Sequence, residues 1–191
     1  MIAVHNVSKE FPGVRALDEV SFNVKRGEVH GLVGENGAGK STIVKILSGI
    51  YTDYDGEILV NGNPIAFHSV RDAQDSGIAT VFQELSVVKD LNVAENIFLG
   101  REPLKRGGII DRTLMNQRTL EVMEFLDEPM PVNEMVGNLS VASQQIVEIC
   151  KALVTNPKVI IMDEPTSSLT EKEVAQLYKI IGQLRDRGVT Q

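Results

Sequence analysis

The sequence is poor in cysteine, with Cys150 as its only one, and it contains no tryptophan. A single cysteine cannot form a disulfide within the chain, so a reducing compartment is expected. No stretch approaches the roughly 18 consecutive apolar residues that suggest a membrane-spanning helix. Residues 1–20 carry several charged side chains and no long apolar run, so no signal peptide is expected. Any work at a membrane would therefore be done as the partner of another protein.

The sequence also has fewer basic than acidic residues. Lysine and arginine number 19 against 26 aspartates and glutamates, which gives a net charge of −7 and a pI near 5.0. This balance argues against a general binder of nucleic acid or of anionic membranes, although it leaves room for a local basic patch. With 191 residues, of which 42% are hydrophobic and 24% charged, the chain can form one domain with a buried core, with or without an inserted subdomain.

Alternating and helical patterns divide the chain into a sheet-forming part and a helical part. Short strands are predicted at residues 2–7, 20–24, 29–33, 57–60, 78–82 and 159–162. Helical periodicity begins at residue 41 and recurs at residues 92–100, 113–128, 143–155 and 171–188. The predicted fold class is α/β, with a core at residues 1–85 and 151–191 and a mostly helical insert at residues 86–150.

The stretch GENGAGKST matches the phosphate-loop pattern G-x-x-x-x-G-K-[ST], after a predicted strand and at the start of a predicted helix. Its glycines permit a backbone that turns successive N–H groups inward around phosphate oxygens. Lys40 is predicted to reach the terminal phosphates, and the Ser41 hydroxyl to ligate Mg²⁺. A glycine-rich turn without chemical meaning is the disfavoured alternative, because strand, loop and helix are all in register. The predicted nucleotide contacts are Gly34, Glu35, Asn36, Gly37, Ala38, Gly39, Lys40, Ser41 and Thr42.

Two adjacent acids, Asp163 and Glu164, follow an apolar predicted strand. Ligands of open parallel sheets lie at such strand ends. Asp163 is predicted to hold the Mg²⁺ or its water, and Glu164 to polarise the water that attacks the γ-phosphate. A solvated acidic turn is the alternative interpretation. Next to a phosphate loop, the pair favours hydrolysis over transfer of the phosphoryl group to a metabolite.

The stretch GNLSVASQQIVEICKAL begins an amphipathic helix in an unusually polar way. Ser140 could simply cap this helix, as most such serines do. The Gln144–Gln145 pair is more than a cap requires, so the helix start is also a candidate binding site.

Taken together, the phosphate loop, Gln83 after a strand, the Ser140 helix start and the acid pair resemble the ATPase subunit of ATP-binding-cassette (ABC) proteins. The resemblance covers essentially the whole chain, and LSVASQQ is similar to the family's LSGGQ signature. It implies an ATP- and Mg²⁺-dependent ATPase with a phosphate-loop core. It also implies that Ser140, Ala142 and Gln144 face the nucleotide of a second ABC ATPase domain, on the same polypeptide or in a homodimer.

Further roles follow from the same resemblance. Gln83 resembles the glutamine that contacts Mg²⁺ and links the core to the helical insert. Phe11 resembles the aromatic residue that stacks on adenine, with an ordinary buried strand-end phenylalanine as an equally weighted alternative. Residues 167–170 resemble the D-loop, which crosses the dimer interface. Cys150 is expected to be a packed small hydrophobe, and REPLKRGG a solvated surface loop.

Within the family, FPGVRAL, ENIFLGREP, QQIVEICKAL and MDEPTSSLT resemble bacterial importers of monosaccharides of the ribose, galactose and xylose type. The resemblance implies a first cassette that powers sugar import from the cytoplasmic face of the inner membrane. Its partners would be membrane-spanning permease subunits and, indirectly, a sugar-binding protein. Nucleic acid is not expected as a partner. A soluble ABC ATPase of DNA repair or translation, and a non-hydrolysing regulatory module, are the alternatives.

The sequence departs from the family pattern in three respects: its signature, its switch histidine and the last strands of the core. Val141 and Ala142 stand where the signature usually has two glycines, which predicts a weaker nucleotide site. The family's switch histidine should follow the strand after Asp163, whereas His5, His30 and His68 all precede it. We therefore expect a fragment that lacks the last part of the core, binds ATP and hydrolyses it poorly.

Overall fold

The computed structural model describes residues 2–166 and 169–191. The chain divides into two compact units. The first comprises Met1–Thr80, Pro157–Asp163 and Ile181–Gln191, and the second comprises Val81–Asn156 and Glu164–Ile180.

An antiparallel sheet dominates the first unit. Its strands are β1 (Ile2–Phe11), β2 (Val14–Val24), β3 (Asp55–Val60) and β4 (Asn63–Ile65), in the order β2-β1-β3-β4. Val4, Val7 and Ile58 have no exposed surface and pack with Ile43 and Ile46 of helix α1 (Lys40–Leu47). Three predicted strands are thus confirmed, and all are longer than expected. The strands β1 and β2 are extended most, because their ladder continues to the Phe11–Val14 turn.

A second sheet pairs β5 (Ile78–Val81) with β6 (Val159–Met162), as the apolar runs predicted. Near the end of the chain, Thr190 lies parallel to Val159: Ile160 N–H donates to Thr190 O at 2.8 Å, and Thr190 N–H donates to Lys158 O at 3.0 Å. The strand β6 ends at Met162, so Asp163 and Glu164 directly follow it, where the acid pair was expected.

The predicted strand at residues 29–33 is wrong. This stretch is irregular, and Val33 is 97% exposed. A strand forms only where a neighbouring segment satisfies its N–H and C=O groups. Gln191 supplies such pairing at the start of the stretch, through bonds to Glu28 O (2.9 Å) and from His30 N (2.8 Å). Within the described ranges 2–166 and 169–191, no backbone hydrogen bond extends that pairing over residues 31–33.

Two short elements, the strand β4 and a helix at residues 70–75, were not predicted from the sequence. The hairpin β3–β4 turns at Asn61 and Gly62, with φ of 53° and 81°. Asn-Gly between alternating runs is a strong hairpin signal and could have revealed it. The helix α2 (Val70–Asp75) begins at Ser69, whose hydroxyl accepts a bond from Asp72 N at 3.2 Å. Serine three residues before an acid is a recognisable helix start.

The second unit is helical, as predicted. It contains α3 (Val93–Ile97), α4 (Arg112–Leu126), a 3₁₀ turn (Val136–Asn138) and α5 (Val141–Leu153), while α6 (Glu171–Asp186) begins in it. The helices α3, α4 and α5 pack on one another around a core that includes Ile97, Met123 and Val147. Cys150 lies in this core with no exposed surface, and burial raises the pKa of its thiol to about 12. The expectation of a packed small hydrophobe is confirmed.

Among the described residues, no helix is both long and apolar enough to cross a membrane.

Candidate nucleotide-binding site

The loop at residues 34–39 connects the irregular stretch to α1 and depends on two glycines. Gly37 and Gly39 have φ of 87° and 86°, a conformation that other residues adopt only with strain. A Cβ on Gly39 would lie 2.6 Å from both Ala16 O and Leu17 Cδ2, so the loop presses against β2 at this point. The sequence thus shapes the loop through both backbone conformation and close approach.

The Lys40 side chain folds back over this loop. Its Nζ donates to Gly34 O at 2.8 Å and to Glu35 O at 2.9 Å, which closes the loop into a ring. The helix α1 begins at Lys40 without a side-chain cap, so its first turn presents N–H groups and the positive end of the helix dipole. Residues 34–38 and Ser41 are exposed. An exposed ring with a cation and uncapped N–H groups suits a phosphate group.

Metal-binding oxygens are present in the same unit. Ser41 is exposed in the first turn of α1, and Asp163 is partly buried directly after β6. Hydroxyl and carboxylate oxygens are ligands that Mg²⁺ prefers. The described residues contain no cluster of three or more His, Cys, Asp or Glu side chains that could hold a metal by themselves. Ser41 and Asp163 each supply an oxygen of the kind that Mg²⁺ takes as a ligand.

Phe11 ends β1 in a cluster that sequence reasoning did not anticipate. Its ring meets Tyr51 edge-on, with centroids 5.4 Å apart, and Lys9 Nζ lies 5.0 Å from the Phe11 centroid. Lys9 is only 6% exposed and pairs with Asp53 at 2.6 Å, and this bond lowers the pKa of the Asp53 carboxyl. Phe11 itself is partly exposed. Phe11 is therefore a partly exposed ring held by Lys9 and Tyr51, and its role as a base-stacking residue stays a prediction.

Gln83 lies in the second unit, exposed just after β5. Three residues later, Ser86 Oγ donates to the carboxylate of Glu148 on α5, with distances of 2.9 and 3.0 Å to its two oxygens. Lys151 Nζ lies 3.7 Å from Glu148 Oε1 and 3.3 Å from Ser86 Oγ. Glu148 is nearly buried, so this charged group ties the segment after Gln83 to α5.

A second tie joins the same segment to the turn before α5. Gly137 N donates to Lys89 O at 3.0 Å, and Val136 N donates to Leu91 O at 3.1 Å. A Cβ on Gly137 would lie 3.1 Å from Lys89 O, so the approach is close. The residues after Gln83 and the start of α5 therefore belong to one packed body within the second unit.

The polar start of α5 is largely explained by internal bonds. Ser140 Oγ accepts a bond from Ser143 N at 3.2 Å and is a helix cap. Gln144 Nε2 donates to Leu139 O at 3.0 Å, and Gln145 Nε2 donates to Pro165 O at 2.7 Å. Both glutamine side chains are buried, whereas Ser140 is exposed and Ala142 partly exposed. The capping interpretation is confirmed, and the glutamine pair has a structural use that the sequence did not reveal.

Glu164 is exposed and has a φ of 46°, an uncommon backbone conformation for a residue other than glycine. The bond from Gln145 to Pro165 holds the next carbonyl in place. Of the predicted D-loop, Ser167 and Ser168 lie outside the described residues. In the described part, Leu169 is partly buried, and Thr170 donates through N and Oγ1 to Glu173 at 2.8 Å.

A phosphate loop in an α/β unit, in a chain that also contains a helical unit, defines a class of nucleotide-binding cassettes. Solved structures similar to this chain belong to the same class. The crystal structure of the ADP conformation of MJ1267, an ATP-binding cassette of an ABC transporter, matches with a TM-score of 0.87 at 28% identity, over 99% of this chain and 78% of that one. The dimeric post-hydrolysis structure of the ATP-binding cassette MJ0796, bound to ADP and Pi, matches with a TM-score of 0.80 at 27% identity, over 100% of this chain and 85% of that one. The predicted fold class is confirmed.

The family model described as ABC transporter matches residues 17–167, so the chain belongs to the ABC transporter family. A putative ribose/galactose/methyl galactoside import ATP-binding protein of Agrobacterium fabrum is 52% identical over 99% of this chain. The galactose/methyl galactoside import protein MglA of Clostridium perfringens and the xylose import protein XylG of Thermoanaerobacter pseudethanolicus are each 49% identical over 100% of the chain. The chain spans 37 to 38% of the length of these three relatives.

Proposed function

We propose that this chain is the nucleotide-binding and hydrolysing cassette of a transporter that imports a monosaccharide across the bacterial inner membrane. Its relatives at about half identity are described as import proteins for ribose, galactose, methyl galactoside or xylose. ATP is the proposed nucleotide and Mg²⁺ the proposed metal.

The ring closed by Lys40 carries this proposal. In the structure the ammonium group binds two carbonyls of its own loop. Phosphate oxygens carry full negative charge and attract an ammonium more strongly than neutral carbonyls do. Lys40 would therefore leave Gly34 O and Glu35 O for the terminal phosphates, while N–H groups of the loop and of α1 contact the inner phosphates.

The remaining roles follow from the chemistry of each group. Mg²⁺, when bound, would neutralise charge that develops on the phosphates. Ser41, Gln83 and Asp163 are the proposed ligands of the metal or its waters, since each offers an oxygen. Glu164 is the proposed group that orients and polarises the attacking water. Phe11 is the proposed platform for the adenine ring, with Lys9 against the phenylalanine ring and Tyr51 at its edge.

A second cassette is the proposed partner at the start of α5. Ser140 is exposed and Ala142 partly exposed at a helix N-terminus, where an anion would be stabilised. Gln144 is the third proposed contact of that nucleotide, and its side chain would act only after release from Leu139 O. Nucleotide-driven closing and opening of such a pair would drive the transport cycle.

Permease subunits at the inner face of the membrane are the proposed main partners, with a sugar-binding protein acting through them. The helical insert, proposed at residues 86–150, is their docking region, and residues 1–85 and 151–191 form the nucleotide-binding core. Hydrogen bonds within this region, from Ser86 to Glu148 and from Gly137 to Lys89, support its proposed role as one docking body.

Binding of ATP tests the proposal directly. We expect the chain to bind ATP with Mg²⁺ in calorimetry, and Lys40→Ala to weaken that binding at least tenfold. Lys172→Ala is the matched control, since Lys172 is an exposed lysine in the first turn of α6. Unchanged affinity in Lys40→Ala, or equal losses in both variants, would contradict the proposed nucleotide site.

A further inference from the structure

The connection between α3 and α4 is a small hairpin with its own backbone bonds. Lys105 N donates to Ile109 O at 2.8 Å, and Asp111 N donates to Pro103 O at 2.6 Å. Leu104 and Ile110 pair antiparallel between these bonds. The segment at residues 101–111, here called the 101–111 hairpin, therefore has a defined shape rather than that of a loose loop.

Aliphatic side chains on this hairpin face outward. Leu104 is 62% exposed, Ile109 68% and Ile110 41%. Leu104 and Ile110 lie opposite each other and share a face, while Ile109, the next residue, points to the other face. Single exposed aliphatic residues are ordinary on protein surfaces, but three in one short hairpin concentrate apolar side chains at one place on the surface, here called the patch.

Basic residues surround this patch in a chain that is acidic as a whole. Residues 101–111 carry three basic side chains and two acidic ones, a local net charge of +1 against −7 for the chain, and the basic Arg112 follows directly. Lys105 pairs loosely with Asp111 at 3.8 Å, and Arg112 pairs with Glu95 at 3.1 Å. Arg106 is exposed in the turn beside Gly107 and Gly108. The sequence left open such a local basic patch.

We propose that the 101–111 hairpin binds the anionic headgroup layer of a lipid bilayer. The aliphatic side chains would enter the interface between headgroups and acyl chains, and the cations would contact lipid phosphates. The bilayer surface is thus a second attachment for this chain, separate from nucleotide binding and from the proposed permease contact.

Two observations favour lipid over a protein partner. A protein surface would cover one face of the hairpin and leave the aliphatic side chain on the other face in water, whereas a fluid lipid layer surrounds both. The charge also matters, because loops of membrane proteins on the cytoplasmic side are enriched in lysine and arginine. Such loops would repel the hairpin with its net charge of +1, while anionic lipids would attract it.

Vesicle co-sedimentation of the full chain tests the proposal. We expect binding to vesicles of phosphatidylglycerol and phosphatidylcholine, at least tenfold stronger than to phosphatidylcholine alone. Each cation near an anionic surface contributes about fivefold, so Lys105→Gln with Arg106→Gln should cost about 25-fold. Leu104→Ser with Ile109→Ser should cost at least tenfold. Val14→Ser with Leu120→Ser is the matched control, because Val14 is 62% and Leu120 53% exposed elsewhere on the surface.

Each outcome separates the proposal from its rivals. Equal binding to both vesicle types, or equal losses in hairpin and control variants, would overturn it. So would hairpin variants that bind lipid normally but lose binding only to vesicles that carry the permease, since the occupant would then be a protein. ATP affinity and thermal unfolding, measured on every variant, should be unchanged. These controls show that the chain is folded and keep a failure of lipid binding distinct from a failure of the proposed ATPase function.

Discussion

Asn96 is the residue whose replacement gives the sharpest test of how the segment after Gln83 is held. Its side chain has no exposed surface and makes four hydrogen bonds to backbone groups. Its Oδ1 accepts from Val88 N at 2.7 Å, and its Nδ2 donates to the carbonyls of Val88, Leu91 and Asn92 at 2.9 to 3.1 Å. One amide thus satisfies backbone groups on both sides of a loop.

Asn96→Ala should lower the free energy of unfolding by about 2–4 kcal/mol. A typical hydrogen bond contributes about 1 kcal/mol net, and each buried group left unpaired costs about 1–3 kcal/mol. Water entering the cavity would satisfy part of the loss, which keeps the total below the sum of four full penalties. Asn96→Asp should be at least as harmful, because a carboxylate would face three carbonyl oxygens without any N–H to donate.

Urea unfolding monitored by circular dichroism measures the effect, and hydrogen exchange at Val88 N localises it. Asn133→Ala is the control, since Asn133 is exposed and should change stability by less than about 0.5 kcal/mol. A loss below about 1 kcal/mol in Asn96→Ala would refute the reasoning that this amide organises residues 88–92.

Three further predictions concern Gly39 and Asp53 in the first unit and Cys150 in the buried core of the second unit. Gly39→Ala should weaken ATP binding more than tenfold, as titration would show, because its Cβ would meet Ala16 O at 2.6 Å and its φ of 86° is strained; unchanged affinity would contradict the role of this close approach. Cys150, whose pKa burial raises to about 12, should resist alkylation at pH 8 in the folded chain and react fully in urea, so rapid labelling of the folded chain would show that the core is open. The pKa of Asp53 is lowered by Lys9, so its stabilising effect should be present above the unfolded-state pKa of about 4 and be lost as the pH falls through the lower folded-state value. Unfolding of Asp53→Asn should lack this acid-dependent component, and identical pH profiles of the two proteins would rule it out.

Local patterns predicted the parts of the site that lie close together in sequence. The phosphate loop needs only glycines, Lys40 and Ser41 in one register, and the structure places them at the start of α1 as expected. The helices α4, α5 and α6 and the buried strand β6 were likewise visible in the sequence pattern, because each buries residues of its own at a regular spacing. The roles of Gln83, Phe11, Glu164 and the α5 start in nucleotide chemistry stay predictions.

The sequence by itself thus determined the phosphate loop, the apolar strand before the acid pair and the helical character of the second unit. Tertiary structure alone decided which polar groups would be paired. Ser86 and Glu148 are 62 residues apart, and Gln145 meets Pro165 across 20 residues. It also decided that residues 29–33 remain irregular, although their pattern is that of a strand. The physical reason is the same in each case: a backbone or side-chain hydrogen bond depends on what the fold brings opposite the group, and no local pattern records that partner.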